Sequence, residues 1–191
     1  MKRFAYYIMG PSGAGKDSVM AEVSRHFGEQ ISRPTRYITR KHAVSDAEQH
    51  NVLSANTFEE FAEKSCFSLY WEANGFYYGY DKQWLRDLES GKIVLLNGSR
   101  SYWEVAKKRH GDQLCPIYLD LSLESQTARL KGRGRESAEE IIARISRSVE
   151  LQHIASHEEI HHLNADQSLE SVVKDFIALL LSHSQNQRNR S

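Results

Sequence analysis

An α/β fold with a mainly parallel central sheet flanked by helices, plus an inserted substrate-binding lobe and a lid, is what this sequence predicts. Three observations predict it. Bounded apolar runs of strand length recur along the chain, each followed by a helical pattern, as in repeated βα units. The first run opens directly into a glycine-rich loop and then a helix. From Ile31 to Leu88 this regularity breaks down, which marks an insertion between two βα units. A chain of 191 residues holds one such domain, since domains typically run to about 100–200 residues.

The elements follow in order. Phe4 to Met9 is apolar and aromatic, ends at Gly10-Pro11-Ser12-Gly13-Ala14-Gly15, and is followed from Lys16 to Phe27 by apolar residues at Val19, Met20, Val23 and Phe27: strand, loop and helix. In the insertion, about residues 32–90, basic residues cluster at Arg33, Arg36, Arg40 and Lys41. Thr57 to Lys64 reads as a short helix, and Trp71 to Tyr80 is rich in aromatics and glycine. Lys92 to Asn97 and Leu114 to Leu121 read as central strands of a parallel sheet. Ser122 caps a helix to Leu130, Lys131-Gly132-Arg133-Gly134-Arg135 reads as a flexible basic link, and Ser137 caps the next helix; together they form a lid near 126–150. A strand near Ile160 to Leu163 and a helix from Leu169 to about Leu181 close the core, which comprises residues 1–31, 91–125 and 151–183, and 184–191 form a polar tail.

Composition narrows the function. Lys+Arg and Asp+Glu both number 25, so the formal net charge is zero, unlike a protein that wraps nucleic acid or coats anionic membranes. The partners expected are therefore small molecules. Two cysteines far apart, Cys66 and Cys115, fit a reducing compartment, and the apolar run before Gly10 is too short for a signal-peptide core, so a cytoplasmic location is expected. Nothing in the sequence specifies an oligomeric state. His161-His162 invites a metal reading, but adjacent strand side chains point to opposite faces, and a solvated polar segment is the expectation there.

Gly10-Pro11-Ser12-Gly13-Ala14-Gly15-Lys16 matches the first seven positions of the phosphate-binding P-loop, whose glycines let backbone N–H groups converge on phosphate oxygens while the lysine neutralises the β/γ charge of a nucleotide. The eighth position departs from the motif: Asp17 stands where a serine or threonine normally serves Mg²⁺, and Ser18 follows. A carboxylate is a hard oxygen ligand, so Asp17 either holds Mg²⁺, directly or through water, or simply favours the positive helix N-terminus. Arg129, Arg133, Arg135, Arg144 and Arg147 suit a lid closing on a transferring phosphoryl group, with Arg133 and Arg144 the candidates for catalysis beside Lys16. The competing reading makes some of them a charged face paired with Glu136, Glu139 and Glu140.

The layout resembles the guanylate kinase family over almost the whole chain: the P-loop, Arg40 in Tyr-Ile-Thr-Arg, Gly75-Phe76-Tyr77-Tyr78-Gly79, Arg129-Leu130-x-x-Arg133-Gly134 and Leu163-Asn164-Ala165-Asp166. The resemblance implies a P-loop kinase that binds ATP with Mg²⁺ along Gly10 to Ser18, with Arg129 and Asn164 assisting, and acceptor phosphate at Arg40 and Tyr78. By spacing, however, Leu69 stands where that family has its guanine-reading glutamate. His50 replaces a tyrosine, Asn97 replaces an acid, and Arg36 replaces a small hydroxyl residue. A carboxylate accepting from guanine cannot become leucine without loss of that recognition.

Lys16-Asp17-Ser18, Arg36 to Arg40, Ala73-Asn74-Gly75 and Asn97-Gly98-Ser99-Arg100 are similar instead to the ribose 1,5-bisphosphate phosphokinase branch, which serves bacterial phosphonate breakdown. That resemblance implies conversion of ATP and ribose 1,5-bisphosphate into ADP and 5-phosphoribosyl 1-diphosphate, with the acceptor facing Arg36, Arg40, Tyr78, Asn97 and Arg100. Arg100 is alternatively a helix-surface charge. Two other readings stand beside this one: a guanylate or other nucleoside monophosphate kinase, and a non-catalytic protein-binding scaffold of the same fold.

Overall fold

The structure is a computed structural model and describes residues 4–39, 50–134 and 136–188. In chain order the first elements are β1 (Ala5–Met9), α1 (Lys16–Phe27), β2 (Ile31–Ser32), β3 (Arg36–Ile38), β4 (His50–Val52), α2 (Ala55–Glu63), β5 (Leu69–Ala73), β6 (Phe76–Tyr80) and α3 (Gln83–Glu89). Then come β7 (Ile93–Asn97), α4 (Trp103–His110), β8 (Leu114–Asp120), α5 (Leu123–Arg133), α6 (Ala138–Glu150), β9 (His161–Asn164) and α7 (Leu169–Arg188).

The central sheet has the order β2-β7-β1-β8-β9, and every neighbouring pair is parallel. β1 is buried along its whole length because both faces of the sheet are covered. Ala5, Tyr7 and Met9 join a cluster with Leu96, Trp103 and Tyr118, while Tyr6 and Ile8 join Val23, Leu95 and Phe176 on the other side. This alternation explains why β1 reads as a continuous apolar run. All five strands run the same way, so the P-loop after β1 and the Asn97 loop after β7 emerge at the same edge, where α/β sheets bind ligands.

The insertion is more ordered than its sequence suggests. It carries a second sheet of order β4-β3-β6-β5, in which β3 and β6 pair antiparallel, as do β5 and β6. β3 and β4 have only three residues each, too short for a period-two pattern to stand out. The β5–β6 hairpin turns on Asn74 and Gly75, with φ of 54° and 74°, the positive pair that a tight two-residue hairpin needs.

Two expectations about helices need correction. α5 does not stop at Leu130: it continues through Lys131, Gly132 and Arg133 and ends at Gly134, whose φ of 63° makes the left-handed C-cap. Leu130 is fully buried and anchors the last turn, which outweighs the modest helix penalty of Gly132. α7 likewise runs past Leu181 to Arg188, with buried Leu180 and a hydrogen bond between His183 Nδ1 and Tyr6 Oη at 3.2 Å fixing its later turns to the sheet. Among the described residues no helix is long and apolar enough to cross a membrane.

Candidate active site

A cleft of about 510 Å³ opens between the central sheet, the second sheet and α6. Its floor is the loop from β1 to α1. Gly10 has a φ of 148°, and a Cβ there would lie 2.9 Å from the Leu119 carbonyl oxygen, so this residue type is required where the loop crosses β8. Gly10, Ser12, Gly13, Gly15, Lys16, Asp17 and Ser18 line the cleft. Ala14 turns into the core and Pro11 is buried, so these two shape the loop from behind.

Lys16 Nζ donates to the carbonyls of Gly10 at 3.0 Å and Pro11 at 3.2 Å, which holds the ammonium over the loop. Burial pulls its pKa down to about 8; Asp17 opposes the shift, and Arg100, Arg36 and Arg133 add to it. The lining itself is electropositive. Six cationic side chains line the cleft (Lys16, Arg36, Arg100, Arg133, Arg144 and Arg147) and Asp17 is the sole carboxylate among the described lining residues.

Five pieces of structure deliver the six cations, with α6 carrying both Arg144 and Arg147. Arg36 begins β3 and lies over the Tyr78 ring, 5.0 Å from its centroid. Arg133 ends α5. Arg144 donates to Ser12 Oγ at 2.8 Å and sits 3.8 Å from the buried carboxylate of Glu136. Ser137 at the start of α6 engages both Glu139 and Glu140. Arg147 donates to Ser101 Oγ at 3.2 Å.

Arg100 is no surface charge: it is 8% exposed, and among the described residues its guanidinium donates to uncharged oxygens, Ser148 O at 3.4 Å, Ser148 Oγ at 3.3 Å and Tyr118 Oη at 3.5 Å. Its position depends on Tyr7, whose hydroxyl accepts from Ser99 N at 2.9 Å and donates to Ser99 O at 3.2 Å. A Cβ on Gly98 would come within 2.3 Å of the Tyr7 ring, which accounts for glycine in Asn97-Gly98-Ser99-Arg100.

Asn97, 5% exposed at the end of β7, donates from Nδ2 to Asp17 Oδ1 at 2.5 Å. The amide thus fixes one carboxylate oxygen. The other can serve a hard cation, and with the Ser18 hydroxyl next in sequence this donor set fits Mg²⁺, which takes few protein ligands and keeps several waters. Arg129 and Asn164 stand beside the cleft and not in its lining: Arg129 bridges the carbonyls of Gly13 at 3.3 Å and Ala165 at 2.7 Å, and Asn164 Oδ1 accepts from Asp166 N at 2.9 Å. Arg40 lies outside the described residues, as does Arg135.

The end of the cleft beside the second sheet is walled by Ile38, Trp71, Ala73, Asn74 and Tyr78. Sequence reasoning missed Trp71, whose ring stacks between Tyr78 at 5.8 Å and Tyr102 at 5.6 Å; an aromatic in a strand looks like core until the sheet is assembled. Leu69 is fully buried in the core, paired across the strands with Tyr80.

Comparison with known proteins accords with this architecture. The guanylate kinase family model matches residues 2–182. The chain is 38% identical over 177 residues to the ribose 1,5-bisphosphate phosphokinase PhnN of Klebsiella pneumoniae, covering 93% of this chain and 92% of the relative. It is 35% identical to the protein of that name from Enterobacter lignolyticus, covering 96% and 95%. Among solved structures, guanylate kinase from Anaplasma phagocytophilum aligns with a TM-score of 0.69 at 14% identity, over 95% of this chain and 86% of that one. A gluconokinase from Sinorhizobium meliloti aligns with a TM-score of 0.57 at 18% identity, over 100% and 98%. At those identities the structural likeness speaks for the fold alone, whereas the family match spans the P-loop, the second sheet, α5 and α6 together, and by it this chain belongs to the guanylate kinase family.

Proposed function

We propose that the chain transfers the γ-phosphoryl group of ATP to the 1-phosphate of ribose 1,5-bisphosphate, giving 5-phosphoribosyl 1-diphosphate and ADP. One observation carries the reading: among the described residues six cations and one carboxylate line the cleft, while Leu69, at the position expected from spacing for a guanine-reading carboxylate, is buried in the core. Such a site rewards a compact polyanion over a base. The relatives named for this activity, at 35–41% identity, support it.

The roles follow from the chemistry. An oxygen of the acceptor's 1-phosphate attacks the γ-phosphorus; a new P–O–P bond forms, the bond from γ-phosphorus to the β-bridging oxygen breaks, and ADP leaves with that electron pair. The attacking oxygen is already ionised, so the step needs no general base. Lys16 follows the charge that develops on the bridging oxygen, and Arg133 and Arg144 neutralise the equatorial oxygens. Mg²⁺ held there would supply neutralisation of the nucleotide phosphate charge. Asp17 and Ser18 offer its protein ligands, and Asn97 acts by orienting Asp17.

Arg36, Arg100 and Tyr78 hold the acceptor, with Trp71 as an apolar wall for the sugar and Arg40 assisting. Arg129 acts by fixing Gly13 of the P-loop, and Asn164 borders the nucleotide. The lobe near 32–90 and the lid near 126–150 bring acceptor and cations together over the core. Incubation with Mg·ATP and ribose 1,5-bisphosphate should release ADP and yield a product with the mass of 5-phosphoribosyl 1-diphosphate. ADP release with no such product would reject the acceptor, and ATP failing to bind would favour the scaffold reading.

A further inference from the structure

At the opposite end of the central sheet from the P-loop, near where β1 and β8 begin, three donors from distant parts of the chain converge. Cys115 Sγ on β8, a ring nitrogen of His161 on β9 and one of His183 on α7 all lie within 4.8 Å of one another. No other group of three or more His, Cys, Asp or Glu among the described residues converges in this way. The two imidazoles meet edge to face with centroids 4.9 Å apart. Cys115 is buried, and both histidines are half-buried.

We propose that Cys115, His161 and His183 form a three-ligand site for a borderline transition-metal cation of the Zn²⁺ class, which clamps the C-terminal helix to the edge of the sheet. The donor chemistry selects that class: one thiolate and two imidazoles suit Zn²⁺, whereas Mg²⁺ prefers oxygen. Metal–ligand bonds of about 2.0–2.3 Å put tetrahedral ligand atoms roughly 3.3–3.8 Å apart, so the three need close by only about an ångström. Side-chain rotation supplies that movement.

Burial lowers the pKa of both histidines, which keeps their nitrogen lone pairs free of protons, and raises that of the Cys115 thiol. Binding therefore breaks the S–H bond, the proton goes to solvent and the sulfur pair goes to the cation. Tyr6 Oη, 3.2 Å from His183 Nδ1, supplies the outer partner that commonly fixes the tautomer of a ligating imidazole. His162, exposed and 2.8 Å from Asp120 Oδ2, faces away and takes no part. The site stands apart from the Asp17 oxygen donors and its readout is not kinase turnover.

The test uses tag-free full-length protein titrated with Co²⁺ and, separately, Zn²⁺. About one equivalent of Co²⁺ should give the near-ultraviolet charge-transfer absorption of a cobalt–thiolate bond. The band should survive Cys66→Ser and vanish in Cys115→Ser, and His161→Gln and His183→Gln should each weaken binding at least tenfold. Zn²⁺ at a hundredfold excess over its Kd should raise the Tm of the unsubstituted protein by about 5–10 °C. Absence of the band, its persistence in Cys115→Ser, or unchanged affinity in both histidine variants would overturn the proposal. If Cys115→Ser does not fold, the two glutamine variants, at half-buried positions, decide the question.

Discussion

Lys16 is where local sequence and tertiary structure act on a single group. The P-loop motif specifies the residue, but the depression of its pKa to about 8 comes from burial first and then from three arginines that are distant in sequence. Removing the ammonium should cost at least about 10²-fold in turnover, or ~2.7 kcal/mol of transition-state stabilisation, measured as kcat of a folded Lys16→Ala variant. The sign of the pH effect is determined by the shift. The folded protein loses the Lys16 proton near pH 8 and the unfolded chain only near the ordinary lysine value, so the penalty for burying the charge is present below about pH 8 and is relieved as pH rises above it. A polyanion in the cleft restores the charged form, so ATP binding at pH 8–9 should take up protons, read by calorimetry in buffers of different ionisation enthalpy. Asp17→Asn should raise the Mg²⁺ concentration needed for half-maximal rate with the fold intact; an unchanged metal titration would reduce Asp17 to a first-turn acid. The Asp17 position was legible from the motif. The hydrogen bond from Asn97 was not, because 80 residues separate the pair.

At the level of elements, strand, loop and helix from Phe4 to Phe27 were legible because every cue is local: an apolar run, positive-φ glycines and a helical period. The second sheet was not, since β3 and β4 are too short to carry a period and exist through their partners. Gly132 and Gly134 show the same limit. Identical in sequence terms, they differ in backbone, one helical and one left-handed at φ 63°. A Cβ at Gly132 meets open space, so Gly132→Ala should stabilise by ~0.5–1 kcal/mol. Gly134→Ala should destabilise by ~1 kcal/mol, because a Cβ is disfavoured in that conformation. Urea denaturation of the two variants checks both signs, and equal effects would contradict a helical Gly132 and a left-handed cap at Gly134.

Across the whole molecule, a formal net charge of zero conceals a strong local imbalance. Composition excluded a nucleic-acid coat but could not locate the six described cations on one cleft, which the packing of α1, β3, the Arg100 loop, α5 and α6 brings together. Arg100 is the clearest case, since its burial against Ser148 joins the loop after β7 to α6 and no local pattern records it. The spacing expectation for Leu69 and His50, taken with the cation cluster, is that phosphate placement and not a base sets selectivity. Each hydrogen bond lost to a purine costs roughly 1–3 kcal/mol when its partner is left buried and unpaired. The most direct test is ADP release with ribose 1,5-bisphosphate and with GMP at matched concentrations, with the products identified by mass. The account predicts that the sugar bisphosphate is turned over at least tenfold faster; a tenfold advantage for GMP would contradict it and make the chain a nucleotide kinase.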